Sequence, residues 1–385
     1  MKKRLLLVLA IVLACGMVLA ACGGGGDAPA AEPDPAPAQS SGGDAPADDP
    51  APAPDPVDDR VFDIAVAQSH GEPVSPGWKW CWDEIEKRSE GRITITVYWS
   101  GSLLSVPEIP KGLGEGAAGI SNMPSNNFPD VLPLNTRILQ LPFMGLQDGN
   151  ETAEIYMQLL SEFPEMVQEF NDVGIMPIGT TCLGYYGMQF TDPKPVHLPA
   201  DLAGKKIIPY NLLFLPVLEA NNASGSYIPP GQAYESLEKG VVDGYINGWA
   251  FAGFFALTDL VTSHTDFGEY GAFQDLNLLG MNLELWNDMP ADLQQIIKDV
   301  LVGDGKGYNK MWDDTLALVA NEQEKAEAKG DTFVMLNDEE LAVWAGEIVP
   351  LHQGVLDEIN AARGDTVAND IYKRAQELIA EKYGA

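Results

Sequence analysis

Basic residues are scarce. In 385 residues, 23 lysines and arginines stand against 56 aspartates and glutamates, a formal net charge of −33. A phosphate backbone needs a basic footprint, so this field repels nucleic acid and excludes it as a partner. Charge equally opposes adhesion to an anionic membrane surface. Histidine is rare too: His70, His197, His264 and His352 stand singly, and Cys81 and Cys182 lack metal-ligand spacing. No metal and no cofactor is expected. There is no Gly-x-Ser-x-Gly, no His-Glu-x-x-His, no Walker loop and no Gly-x-Gly-x-x-Gly behind a strand, so no enzyme is expected. Beyond residue 21 no run approaches about 18 consecutive apolar residues, the length that spanning requires.

What is present divides in two. Hydrophobic residues make up 45% and charged residues 21%, enough for a sizeable core over two domains. The charge is uneven: residues 27–59 carry nine acids and no base, while Arg60 to Ala385 hold 20 bases and 47 acids, a net −27. Lys2-Lys3-Arg4 followed by apolar Leu5 to Ala21 reads as a secretory signal over 1–21. Leu19-Ala20-Ala21-Cys22-Gly23 resembles a bacterial lipobox, which implies lipid attachment at Cys22 and a membrane anchor. Residues 22–59, rich in Pro, Ala, Gly and Asp, cannot offset their ordering entropy by apolar burial and are expected to form a disordered tether. Cys81 and Cys182 are left either to pair or to be buried separately.

The remainder alternates elements. Val61 to Ala67 and Arg92 to Tyr98 read as half-buried strands flanking a helix at 76–87. A short helix at 106–114, a strand at 117–122, one long amphipathic helix over 151–171 and a buried strand at 175–182 follow. The second half repeats the logic: strands at 206–208, 226–228 and 241–246, with helices at 212–220 and 232–239. Helices then run from 290, with breaks through 308–329, and over 338–362 and 366–382. This pattern is α/β.

Several segments then become specific. Ala200-Asp-Leu-Ala-Gly-Lys-Lys-Ile207 and Ala233-Tyr-Glu-Ser-Leu-Glu-Lys-Gly-Val-Val-Asp-Gly-Tyr-Ile-Asn247 resemble segments of solute-binding proteins of tripartite ATP-independent periplasmic (TRAP) transporters, dicarboxylate-binding-protein type. Ser89 to Ile95 with Gly101-Ser-Leu-Leu, Leu141-Pro-Phe and Val261-Thr-Ser-His264 fit the same pattern in the same order. The resemblance implies a two-lobed periplasmic-binding-protein-like (type II-like) fold with crossing strands, a long connecting helix and a helical C-terminal wrap. One lobe is expected from 60–180 plus part of 260–385, the other from 181–259 plus part of 260–385. It further implies an extracytoplasmic, lipid-anchored protein, periplasmic or on the outer face of the cytoplasmic membrane. Its partners are a small organic solute and the membrane permease subunits that receive it.

The departures from that family bear on the solute. Its carboxylate-binding arginine positions read Ile208 and, counting back from Asp201, Met188 with Gln189 beside it. A guanidinium fork holds a carboxylate bidentately, so a typical C4-dicarboxylate is not expected. Asn247 is retained. Aromatic side chains are expected to line the cleft: Trp78, Tyr185, Tyr210 with Asn211 beside it, and Trp249. Trp78 and Trp82 share a helix face that Trp80 does not. Gln68, His70 and Asn122 follow the first and third strands, where α/β clefts take ligands. Two other readings stay open: a ligand sensor presenting to a membrane receptor, and an extracytoplasmic hydrolase or structural lipoprotein.

Overall fold

The computed structural model describes residues 59–71 and 75–384. The signal, lipobox and tether readings, Cys22 included, lie outside the described residues. Eleven strands form among them: β1 (Phe62–Ala67), β2 (Ile93–Tyr98), β3 (Ile120–Pro124), β4 (Ile175–Tyr185), β5 (Gly187–Phe190), β6 (Lys206–Pro209), β7 (Ser224–Gly225), β8 (Gly244–Asn247), β9 (Ser263–Asp266), β10 (Gln274–Asn282) and β11 (Thr332–Met335). Two sheets result, ordered β2-β1-β3-β10-β4 and β11-β9-β5-β8-β6-β7. The fold is α/β and two-lobed, as the sequence indicates.

Helix Pro76–Arg88 is the crossover between parallel β1 and β2. Proline at its first position has no N–H to leave unpaired. Its period buries Trp78, Cys81, Trp82 and Ile85 on one face. Trp80 turns outward beneath Lys310, whose ammonium lies 4.4 Å from its ring centre. Each fully buried side chain of this size contributes about 1.5–3 kcal/mol of transfer free energy. Cys81 and Cys182 are free thiols in separate core clusters, so the pairing alternative is not realised.

Two expected continuous helices are broken by proline. The 151–171 pattern divides into Gly149–Glu162 and Pro164–Asp172, because Phe163 before the proline takes an extended backbone (φ −116°, ψ 95°). The 338–362 pattern divides into Asp338–Ile348 and His352–Arg363 around Pro350. Conversely, Gly307–Lys329 is unbroken over 23 residues. It runs from Met311 and Trp312 in the first lobe's cores to Glu322 and Lys329, which bond Thr258 and Val261 of the second. This is the long connecting helix. The C-terminal helices also bridge the lobes, with Trp344 and Ile348 in the second lobe's core and Ile359, Ile371 and Ile379 in the first's.

The chain changes sheet three times, directly from β4 to β5 and from β9 to β10, and through the intervening helices from β10 to β11. The two direct crossings pair: Tyr186 N donates to Phe273 O at 3.1 Å, and Ala272 N to Tyr186 O at 3.1 Å.

Candidate functional site

Strand register decides which residues can meet. Gln274 lies opposite Tyr185, and Asn277 opposite Pro124. The edge of the first sheet that faces the crossings therefore carries residues 68–70, 122–126, 185 and 274–275. On the second sheet Gly187 lies opposite both Asn247 and Asp266, and Pro209 opposite Ile246. Its facing edge carries 209–211 and 247–249.

On the first edge, Asn122 Oδ1 accepts from Ser69 N at 2.8 Å, while its Nδ2 donates to Ser69 Oγ at 2.7 Å and Asn277 Oδ1 at 3.1 Å. Gln68 Nε2 and His70 Nδ1 are 3.3 Å apart. The His70 ring meets Trp78 edge-on at 5.8 Å and stacks on Phe254, from the helix after β8, at 4.6 Å and 5°. Burial pulls the His70 imidazole down to about 4, so the ring is neutral at neutral pH. Gln68, His70, Trp78 and Asn122 thus form one buried neighbourhood.

The second lobe's candidates are more spread out. Tyr210 packs on Phe251 at 4.5 Å, and Phe251 on Tyr245 at 5.6 Å. Tyr245 in turn donates to Gln189 Oε1 at 2.8 Å, so Gln189 is held within β5 behind the edge. Asn211 caps the following turn through Leu213 N and donates to Gln140 O of the first lobe at 2.8 Å. Asn247 Oδ1 accepts from Gly248 N at 2.6 Å. Trp249 donates to Asp266 at 3.3 Å and stacks on His264. Tyr185 meets Trp312 and Tyr270 edge-on at the crossing.

Other residues join them that sequence reasoning did not single out. Asp275 is buried with no basic side chain among its hydrogen-bond partners. It accepts from Ser125 Oγ at 3.1 Å, Gln140 Nε2 at 2.7 Å and Tyr186 OH at 3.4 Å. Burial outweighs those bonds and pushes the carboxyl up to about 7. Among the described residues, several buried polar atoms on the first edge have no protein partner, namely Gln68 Oε1, Asn277 Nδ2 and both amide atoms of Gln274, as does the Tyr210 hydroxyl on the second. A buried polar group left without any partner costs about 1–3 kcal/mol, so these atoms are available to a bound solute or to water. The polar residues of 274–282, standing inside an otherwise apolar run, were the signal available in the sequence.

A cavity of about 560 Å³ opens between the lobes. Asn126, Arg137 and Gln140 line it from one side, Tyr210, Asn211 and Tyr227 from the other. Arg92 pairs with Asp292, and Arg137 stands in the cavity wall. Met188 and Ile208 are both fully buried in the second lobe's apolar core. Among the described residues no group of three or more metal-ligating side chains is present, and no helix is long and apolar enough to cross a membrane.

Residues 65–358 match the model of a family described as bacterial extracellular solute-binding protein, family 7. A solute-binding protein of Chromohalobacter salexigens is 24% identical over 167 residues, covering 43% of this chain and 48% of that relative. The chain thus spans about half the length of two curated relatives it matches and 29% of a third. Its fold is similar to a TRAP solute-binding protein of Rhodoferax ferrireducens in complex with copurified benzoate, with TM-score 0.73 and 20% identity over 84% of this chain and 100% of that one. It is also similar to a TRAP periplasmic solute-binding protein of Chromohalobacter salexigens with bound D-glucuronate, with TM-score 0.68 and 17% identity over 81% and 99% of the two chains.

Proposed function

The chain belongs to the bacterial extracellular solute-binding proteins of family 7, and from that premise we propose that it captures a small organic solute between its lobes and delivers it to a TRAP-type permease. The observation that carries this reading is the family match itself, which runs through both sheets and both edges of the cavity. Capture is an equilibrium between open and closed lobes that the solute shifts toward closure. The function is binding without turnover. The candidate set Gln68, His70, Trp78, Asn122, Tyr185, Gln189, Tyr210, Asn211, Asn247 and Trp249 is part of the proposal, as are the signal at 1–21, the tether at 22–59 and the two lobes after it.

The solute differs from a C4-dicarboxylate, because Met188 and Ile208 stand at the two positions that the resemblance assigns to carboxylate-binding arginines. Outside the described residues, a lipid on Cys22 holds the protein at the membrane.

A thermal-shift screen of small organic compounds against the purified protein, followed by uptake in vesicles carrying the cognate permease, tests the whole reading. Protein-dependent uptake of an unchanged compound supports it. Binding without uptake favours the sensor alternative, and chemical conversion of the compound overturns binding without turnover. For the anchor, Cys22→Ala moves the protein from the membrane to the soluble fraction; continued membrane retention refutes lipid attachment there.

A further inference from the structure

We propose that Arg137 is the anion-binding residue of the cleft, and that the solute it takes is a monocarboxylate with an apolar or aromatic body. The inference rests on the reading of the chain as a solute-binding protein and names the class of solute.

Arg137 is the only basic residue among the described residues that line the interlobe cavity. Its position is fixed from behind. Helix Pro133–Arg137 is tied down by buried Glu169, which accepts from Leu134 N at 3.0–3.1 Å and from Asn135 Nδ2 at 3.0 Å, and by Tyr156, which donates to Asn135 Oδ1 at 2.8 Å. The guanidinium donates to Glu358 Oε2 at 2.7 Å. The two partners differ in exposure: the Arg137 side chain is 22% exposed and that of Glu358 is 69%. A pair with one solvated partner holds by only about 0–1 kcal/mol. A carboxylate bound bidentately in a closed cleft gains more, because the charge-assisted bonds form away from water. Glu358 is therefore a placeholder that a ligand carboxylate displaces into solvent.

One guanidinium accommodates one carboxylate. A second ligand carboxylate in this cavity would meet the amides of Asn126, Gln140 and Asn211 and the charge of Asp130, none of which neutralises it. Apart from Asn127 and Thr136, the remaining wall is apolar and aromatic. The Tyr210 and Tyr227 rings meet edge-on at 6.1 Å, beside Leu141 and Leu212. The Tyr210 hydroxyl is buried without a partner and offers a hydrogen bond to one polar substituent. A cavity of about 560 Å³ suits a ligand of this size.

The test is a binding panel of aromatic and branched monocarboxylates, each beside its own primary amide, with succinate and malate as dianions. Benzoate against benzamide is the reference pair. The proposal expects at least one acid to bind at least 30-fold tighter than its amide, with the dianions weaker still. Arg137→Gln abolishes that acid-over-amide preference, and Arg137→Lys restores part of it. Glu358→Gln tightens the acid three- to tenfold by removing its competitor, an effect that a merely structural ion pair would not produce. Unfolding curves confirm that each variant is folded. Amides binding as well as acids, dianions binding tightest, or Arg137→Gln retaining the preference each overturns the assignment. Tight binding of a neutral compound from a broader library, with no acid bound, overturns Arg137 as the anion site and leaves solute capture standing.

Discussion

Asn122, itself buried, holds partly buried Ser69 by its backbone and its hydroxyl and reaches buried Asn277 on β10. Truncation to alanine strands the Ser69 N–H, and leaving a buried donor unpaired costs about 1–3 kcal/mol. Asn122→Ala is therefore expected to lower unfolding free energy in urea by that amount. Tyr210 poses the opposite case, since its hydroxyl is already unpartnered. Tyr210→Phe should leave the ligand-free protein as stable or up to about 1 kcal/mol more stable, while solute affinity falls several-fold. Calorimetry with and without solute separates the two effects; lost stability with unchanged affinity would remove Tyr210 from the site. Gln68 and His70 follow β1 as the sequence suggests, whereas Asn122, expected after the third strand, lies within β3. The partnership of Gln189 with Tyr245 was not legible, because 56 residues separate them and only the antiparallel pairing of β5 with β8 joins them.

Among the elements, β10 escaped the sequence reading for a physical reason. Its nine residues are all buried, yet Gln274, Asp275, Asn277 and Asn282 interrupt the apolar run that marks a central strand. Asp275 and Asn277 bond across the sheet to Ser125, Gln140 and Asn122, while Asn282 caps the helix that follows. Proline had the converse effect at 164 and 350, where a continuous apolar stripe concealed a break. The helix Trp249–Phe254 depends on a close approach at its cap. A Cβ on Gly248 would lie 2.4 Å from the carbonyl oxygen of Tyr185, which is backbone and cannot rotate away. Gly248→Ala must push this helix off β4 at a cost of about 1–3 kcal/mol, displacing Phe254 from His70. A melting temperature lowered by a few degrees, together with weakened solute binding, is expected. An unchanged melting temperature would mean that the crossing yields freely.

At the scale of the molecule, two lobes share one buried carboxylate where the chain passes between them. Tyr186 and Asp275 belong to the crossings, and Gln140 and Asn126 join them to the cavity wall. The native Asp275 carboxyl titrates at about 7, against an ordinary value of 3.8. Between those values the folded protein keeps a proton that the unfolded chain has released. This group's contribution is therefore full below about pH 4 and declines as pH rises through 7. His70 runs the other way. Its native imidazole lies at about 4 against an ordinary 6.5, so stability is lost as pH falls through that window. Asp275→Asn removes only the first dependence, keeping an acceptor for Gln140 and placing an amide donor beside the Tyr186 oxygen. Three pKa units correspond to at most about 4 kcal/mol. The variant is expected to exceed the natural protein in unfolding free energy at pH 8, with the gap closing toward pH 5. Urea titrations at both pH values decide it. If the two proteins differ by the same amount throughout, ionisation of Asp275 is not what the crossing feels as pH rises.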